Sequence, residues 1–277
     1  MARRISLAHL TVLSLAPPEM IETAHATGYD AVGLRLIAVT PTTPGYPLMS
    51  DPAMLRETKA ALGRTGIAVN DIEFVRITPE LDVRSLEPLL ATGADLGARH
   101  LITAPYDEDL GRLADKLAAI ADLAQPYRIM PLLEFFPWAF VPNFAGAKDL
   151  VAATRRDNVG ILFDVLHFSR TGGSIQQLVS TPARLLPFVH LCDAPAAMPA
   201  TMEAMLHTAR CDRLPPGQGG LDLLPILSAL PADCPLGIEV PMEVLTGEIG
   251  PQAVARRCRQ ATDRLLQTWA GMSADRA

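Results

Sequence analysis

Residues 129–164, IMPLLEFFPWAFVPNFAGAKDLVAATRRDNVGILFD, hold one complete strand–helix–strand unit. The apolar run 129–135 is too short for a helix and reads as a strand. An amphipathic stretch, 145–155, follows a proline-containing loop and reads as a helix. A second short apolar run, 159–164, closes the unit. Two strands joined through a helix run parallel.

The same alternation extends in both directions. Strands are expected at 5–12, 31–36, 67–75 and 100–103 before this unit, and at 188–192 and 236–240 after it. Helices are expected at 17–27, 51–64, 85–96, 110–123, 175–179, 223–230 and 251–268. Gly28, Gly66 and Gly97 stand where three of them stop. Eight units in 277 residues predict a single (β/α)8 barrel domain over 1–277. No GxGxxG follows the first strand, so the open dinucleotide-binding sheet lacks its phosphate turn. Pro131 cannot donate to a ladder, and is expected as the first residue of its strand or at a bulge. Two long connections, 37–50 and 194–220, fall at the C-terminal face of such a barrel and are expected to act as lids.

Composition narrows the function. The net charge of −6, with acidic and basic residues interspersed and no Lys/Arg run, excludes a phosphate-backbone footprint and hence nucleic acid. No apolar run reaches the eighteen or so residues of a membrane span. The apolar N-terminal segment is interrupted by Ser6, His9 and Thr11 and runs into Pro17-Pro18, which fits a first strand better than a signal peptide. Cys192, Cys211, Cys234 and Cys258 form no CxxC pair and are read as reduced thiols, which predicts a cytoplasmic protein.

The chemistry gathers on the last four strands. LLEFFPW (132–138) carries Glu134, ILFDVLH (161–167) carries Asp164 and His167, FVHLCD (188–193) carries His190 and Asp193, and LGIEVP (236–241) carries Glu239. A carboxylate in an apolar run is costly to bury alone. Neighbouring strand ends converge, so Glu134, Asp164, His190 and Glu239 are expected to share one divalent ion. Three carboxylates and one imidazole suit Mn²⁺, Mg²⁺, Co²⁺ or Zn²⁺. Arg35, Arg76, Arg170 and Arg213 lie at or beyond strand ends on the same face. They read either as a receptor for an anionic substrate or as partners of acids such as Glu73 and Asp193. Phe136, Trp138 and Phe140 either wall the pocket against substrate or cover the barrel rim. Tyr46 reads either as part of a lid or as a member of a proline-stiffened loop.

These pieces, with GYDAVGL (28–34), GILFDVLHFSRTGG (160–173), HLCDAP (190–195), DRLPPGQGGLDLLPIL (212–227) and GIEVP (237–241), make the chain resemble the xylose isomerase-like TIM-barrel superfamily. The likeness is to its sugar phosphate isomerase/epimerase branch, which also includes inosose and 3-dehydroshikimate dehydratases. The resemblance implies Glu134, Asp164, His190 and Glu239 as metal ligands, and His167 and Arg213 as substrate contacts. It implies a sugar, sugar phosphate or sugar acid isomerised or epimerised through a metal-stabilised enediolate, with Glu134 and Glu239 as the proton-transferring pair. The alternative is a dehydratase with the same base. A homo-oligomer built on helix-face pairing is a further expectation. The small substrate is expected to be anionic or polyhydroxylated, with Arg35 and Trp138 beside it. One departure from relatives is Gly33, where many carry a glutamate. With a period of two, Gly33 and Arg35 both face the barrel interior. An endonuclease would need more than the six histidines present and a basic face. A non-catalytic barrel would have no use for an intact ligand set.

Overall fold

The computed structural model describes residues 3–40 and 43–274, so residues 41 and 42 of the loop 37–50 and the chain ends lie outside the description. Eight parallel strands close into one barrel in sequence order. They are β1 Ile5–Ala8, β2 Ala31–Arg35, β3 Ala68–Ile77, β4 His100–Pro105, β5 Met130–Glu134, β6 Gly160–Asp164, β7 Val189–Leu191 and β8 Leu236–Ile238. The helices are α1 Pro17–Thr27, α2 Pro52–Thr65, α3 Glu87–Asp95, α4 Leu110–Ala124, α5 Phe144–Ala153, α6 Val165–Arg170, α7 Ile175–Val179, α8 Met202–Cys211, α9 Leu223–Ala229, α10 Glu243–Ile249 and α11 Pro251–Ala274. None of the described helices is long and apolar enough to cross a membrane.

Local chemistry sets the helix ends. Asp51, Asp109 and Asn143 each accept the N–H three residues ahead at the starts of α2, α4 and α5. Such a cap contributes about 1 kcal/mol. Gly28 and Gly66, at φ 83° and 72°, end α1 and α2 in the left-handed conformation that a β-carbon disfavours.

Alternation along the strands separates two cores. Phe135 and Phe163 point outward and pack with Phe144 and Phe168 at ring-centroid distances of 4.7 to 6.4 Å. Their neighbours Glu134 and Asp164 therefore point inward. Beneath them, inside the barrel, Ile102, Leu132, Leu162 and Phe188 belong to a separate apolar cluster. The acids thus stand on a greasy floor.

Several details differ from the sequence expectation. The first strand stops at Ala8, and His9–Val12 forms a 3-10 turn. The His9 ring accepts the Arg35 N–H at Nδ1 and faces the Leu15 carbonyl at Nε2, which draws the chain off the strand path. Pro131 is neither first in its strand nor at a bulge; it is the second residue of β5, in register with Leu101. Met130 N–H donates to Arg99 on the β4 side, so the Pro131 nitrogen faces β6, whose pairing begins only at Leu132. The connection 194–220 is not a plain loop, because α8 occupies its centre. The short helices α6 and α10 were not expected, and α11 runs beyond residue 268.

The space over Gly33 is filled. A β-carbon there would lie 2.4 Å from Asp71 Oδ1, since β3 shifts register and sets Asp71 beside Gly33 and Glu73 beside Arg35. Gly33→Ala is therefore expected to lower the unfolding free energy by about 1–3 kcal/mol in urea titration. Adding Asp71→Ala should restore most of that loss. Equal destabilisation with and without Asp71 would show that another group sets the limit.

Candidate metal centre and active-site cavity

Glu134 and Asp164 are the last residues of β5 and β6, His190 is the middle of β7, and Glu239 follows β8 directly. Each is buried, and each offers one ligand atom that lies within 4.8 Å of the other three. Strand register brings this about: Asp164 pairs with His190, and His190 with Gly237. A β-carbon on Gly237 would sit 2.8 Å from His190 Cδ2, so the glycine makes room for the imidazole.

Asp164 also caps α6. Its Oδ1 accepts the N–H groups of Leu166 at 2.7 Å and His167 at 3.1 Å. The first helical turn then lifts His167 over the cavity, with Nε2 3.7 Å from Glu134 Oε1. The edge of its ring meets Trp138 in a T-shaped contact at 5.2 Å. Burial pushes the His167 pKa down to about 4, so the ring is neutral at pH 7.

The bare cluster is electrostatically frustrated. Burial, and then the Glu239 carboxylate, push the Glu134 pKa well above the usual range. For Glu239, burial is overcome by His190 and Arg213, which hold it far below the usual range. Burial opposes a charge on His190, yet Glu239, Glu134 and Asp71 raise its pKa to about 10. Neither His190 nitrogen has a hydrogen-bond partner among the described residues; Nδ1 lies 3.5 Å from Glu239 Oε2. Three clustered carboxylates and an orphaned buried imidazole fit a divalent cation, which would satisfy all four at once.

A cavity of about 600 Å³ opens above this centre. Glu134, Glu239, His167, Arg35, Arg213 and Trp138 all line it, whereas Asp164 and His190 lie beneath. Leu10, Leu13, Val39, Phe74, Tyr106, Phe136 and Met242 supply much of its apolar wall. Phe140 is exposed and does not line it.

Of the two sequence readings of the arginines, the contacts favour engagement within the chain, with Arg35 on Glu73 as expected and, among the described residues, none on Asp193. Arg213 does not reach freely from its loop. It is 2% exposed, with Nη1 2.7 Å from Asp164 Oδ2 and Nη2 2.9 Å from Glu239 Oε2. Arg35 Nε donates to Glu73 Oε1 at 3.0 Å. Arg170 donates to the Pro195 and Ala196 carbonyls, and Arg76 lies over the Tyr106 ring at 4.2 Å. Tyr46 stacks on His9 at 5.0 Å and donates to the Leu13 carbonyl, which fastens the β2 connection to the barrel top.

The model of the xylose isomerase-like TIM barrel family matches residues 21–261. This chain belongs to the xylose isomerase-like TIM barrel family. Among curated relatives, inosose isomerase of Bacillus velezensis is 27% identical over 224 residues, 76% of this chain and 77% of the relative. A crystal structure titled IOLI protein with a binding zinc atom superposes with a TM-score of 0.78 at 20% identity, covering 96% of this chain and 99% of that one. D-allulose 3-epimerase from Methylomonas sp. superposes with a TM-score of 0.70 at 14% identity, covering 95% and 97%. At these identities the two structures speak for the fold.

Within this family barrel, the sequence reading missed Asp71, Arg210 and Glu243. Asp71 had a signal: in VNDIEFV (69–75) it shares a strand face with Glu73 in an otherwise apolar run. Burial raises its pKa to about 7. Arg210 and Glu243 come from α8 and α10; α8 had a signal, with Thr201 capping its start, Glu203 in its first turn and Arg210 in its last.

His9 yields a test of the barrel top. Burial lowers its pKa to about 4, and its Nδ1 lone pair is held by the Arg35 N–H. Between pH 6.5 and 4 the unfolded chain takes up a proton that the folded ring refuses, so this contribution is full above 6.5 and is lost as pH falls. It amounts to about 3 kcal/mol over the window. The stability difference between the wild type and His9→Gln, from urea titrations at pH 7 and pH 4.5, should narrow at the lower pH. A constant difference would assign the titration elsewhere.

Proposed function

We propose that this chain is a divalent-metal-dependent isomerase or epimerase of an uncharged polyhydroxylated ketone. The observation that carries the reading is the pairing of Glu134 and Glu239, which both contribute to the four-residue cluster and both line the cavity. Two carboxylates beside one carbon can remove a proton next to a carbonyl and return it. A cation held by Glu134, Asp164, His190 and Glu239 would polarise the substrate carbonyl and offset the negative charge that develops there. The names of the relatives, inosose isomerase and D-allulose 3-epimerase, support this class of reaction.

The residues divide the work. Glu134 and Glu239 take the roles of base and acid, in an order that depends on the substrate face presented. His167, neutral at pH 7, offers a hydrogen bond without adding charge, and Trp138 holds it in place. Arg213 keeps Asp164 ionised, and His190 and Arg213 together do so for Glu239. The apolar wall takes the C–H faces of the substrate and limits water at the reacting carbon.

The charge count supports an uncharged substrate over a phosphate or carboxylate. The lining residues include Arg35, Arg210 and Arg213 against Glu73, Glu134, Glu239 and Glu243, and Asp164 lies beneath. The three guanidinium groups are thus outnumbered by carboxylates. No cationic excess is left to hold an anion.

Solvent exchange tests the reading. In D2O with Mn²⁺ or Zn²⁺, uncharged ketoses and inososes should gain deuterium beside the carbonyl in NMR spectra, and matched sugar phosphates should not. Glu239→Gln should slow the exchange by roughly 10²–10⁴-fold. A conjugated, ultraviolet-absorbing product in place of exchange would reassign the chain as a dehydratase. Saturating metal, at about 100 times Kd, should stabilise the fold by about 2.7 kcal/mol. Unchanged melting after metal addition would argue against the metal centre.

A further inference from the structure

The turn PPGQGG (215–220) carries three glycines, whose unhindered backbone N–H groups can form an anion cradle. Its anion is supplied from within the chain. Asp193, 1% exposed, accepts the N–H groups of Gly217 at 3.0 Å and Gly219 at 2.9 Å through Oδ2. Its Oδ1 accepts those of Leu221 at 3.0 Å and Ala194 at 2.8 Å. Asp193 forms no ion pair among the described residues, so these four N–H groups carry its charge. The fit is close: a β-carbon on Gly219 would lie 2.4 Å from Asp193 Oδ1.

The same residue holds the segment that carries Arg213. The backbones of Asp193 and Leu214 exchange two hydrogen bonds of 2.8 Å in an isolated antiparallel bridge. The adjacent Arg213 N–H donates to the Pro241 carbonyl, just beyond Glu239. Arg213 is thereby pinned between the β7 and β8 extensions, with its guanidinium across Asp164 and Glu239.

We propose that Asp193 is a positioning residue for the metal centre. Acting as an internal anion, it folds the glycine-rich turn and fixes Arg213, which holds the Asp164 and Glu239 carboxylates in the orientation the divalent ion needs. The turn is consequently closed to a substrate phosphate. The inference rests on Glu134, Asp164, His190 and Glu239 being the metal site.

Titration calorimetry with Zn²⁺ on the full chain tests it. Asp193→Ala should weaken Zn²⁺ binding about tenfold, at the lower end of the loss expected on removing Arg213, the direct partner of ligand groups. Formate, filling the vacated cradle, should recover part of that affinity, an effect that general loosening of the fold would not produce. In an Arg213→Met background, Asp193→Ala should add little further loss, because both changes act on one path. Unaltered Zn²⁺ affinity in Asp193→Ala, or fully additive losses in the double variant, overturns the proposal while leaving the metal centre intact. No Zn²⁺ binding by the wild type overturns both. If Asp193→Ala does not fold, the milder Asp193→Asn is read by the same titrations.

Discussion

Like charges buried side by side require a counter-charge, and the upper half of this barrel is arranged around that requirement. Glu134, Asp164 and Glu239 stand above a floor of leucine and phenylalanine, each almost fully buried. In so dry a setting each carboxylate raises the cost of ionising the next. The opposite displacement of the Glu134 and Glu239 pKa values expresses this conflict within one cluster. A divalent ion would remove it by serving all three acids together with the His190 imidazole, which makes no hydrogen bond among the described residues. The alternation of strand side chains leaves little choice: the parity that packs Phe135 and Phe163 against α5 and α6 turns Glu134 and Asp164 inward.

The molecule uses two ways to make a buried carboxylate tolerable, and they serve different ends. Asp193, and Asp164 through Oδ1, accept backbone N–H groups, which the fold holds in place. That solution suits architecture. Among the described residues no backbone N–H donates to the Glu134 or Glu239 carboxylate, and both face the cavity. Their stabilisation comes from cations and can be redistributed as charge shifts during a reaction. The distinction separates acids that hold the fold from acids available for chemistry, and burial alone does not draw it: Asp193 is more buried than either glutamate.

Much of this was legible in the sequence. Alternating apolar runs and amphipathic stretches gave eight units, and a charged residue at the end of four consecutive apolar runs marked the centre. The remainder depended on contacts between residues far apart in the chain. The 3-10 turn after β1 exists because His9 meets Arg35, and Pro131 is harmless because β6 begins one residue later. Asp71 occupies the space over Gly33 only because β3 slips register against β2. The helix α10 is short and buries none of its residues, so no apolar stripe marks it in the sequence.

The arginines show most directly what a linear reading leaves out. Four guanidinium groups on the active face suggest an anion receptor so long as their partners are unknown. In three dimensions Arg35 faces Glu73, Arg213 faces Asp164 and Glu239, Arg170 faces carbonyls, and Arg76 lies on an aromatic ring. A cation already neutralised attracts an incoming anion only weakly, since the new contact must compete with the old one. Positive charge here organises the protein's own acids. Discrimination between substrates then falls to the shape of a cavity that is apolar on its walls and polar on its floor. On the proposed reading, such a cavity would select a polyol by where its hydroxyl groups and carbonyl point, and not by net charge.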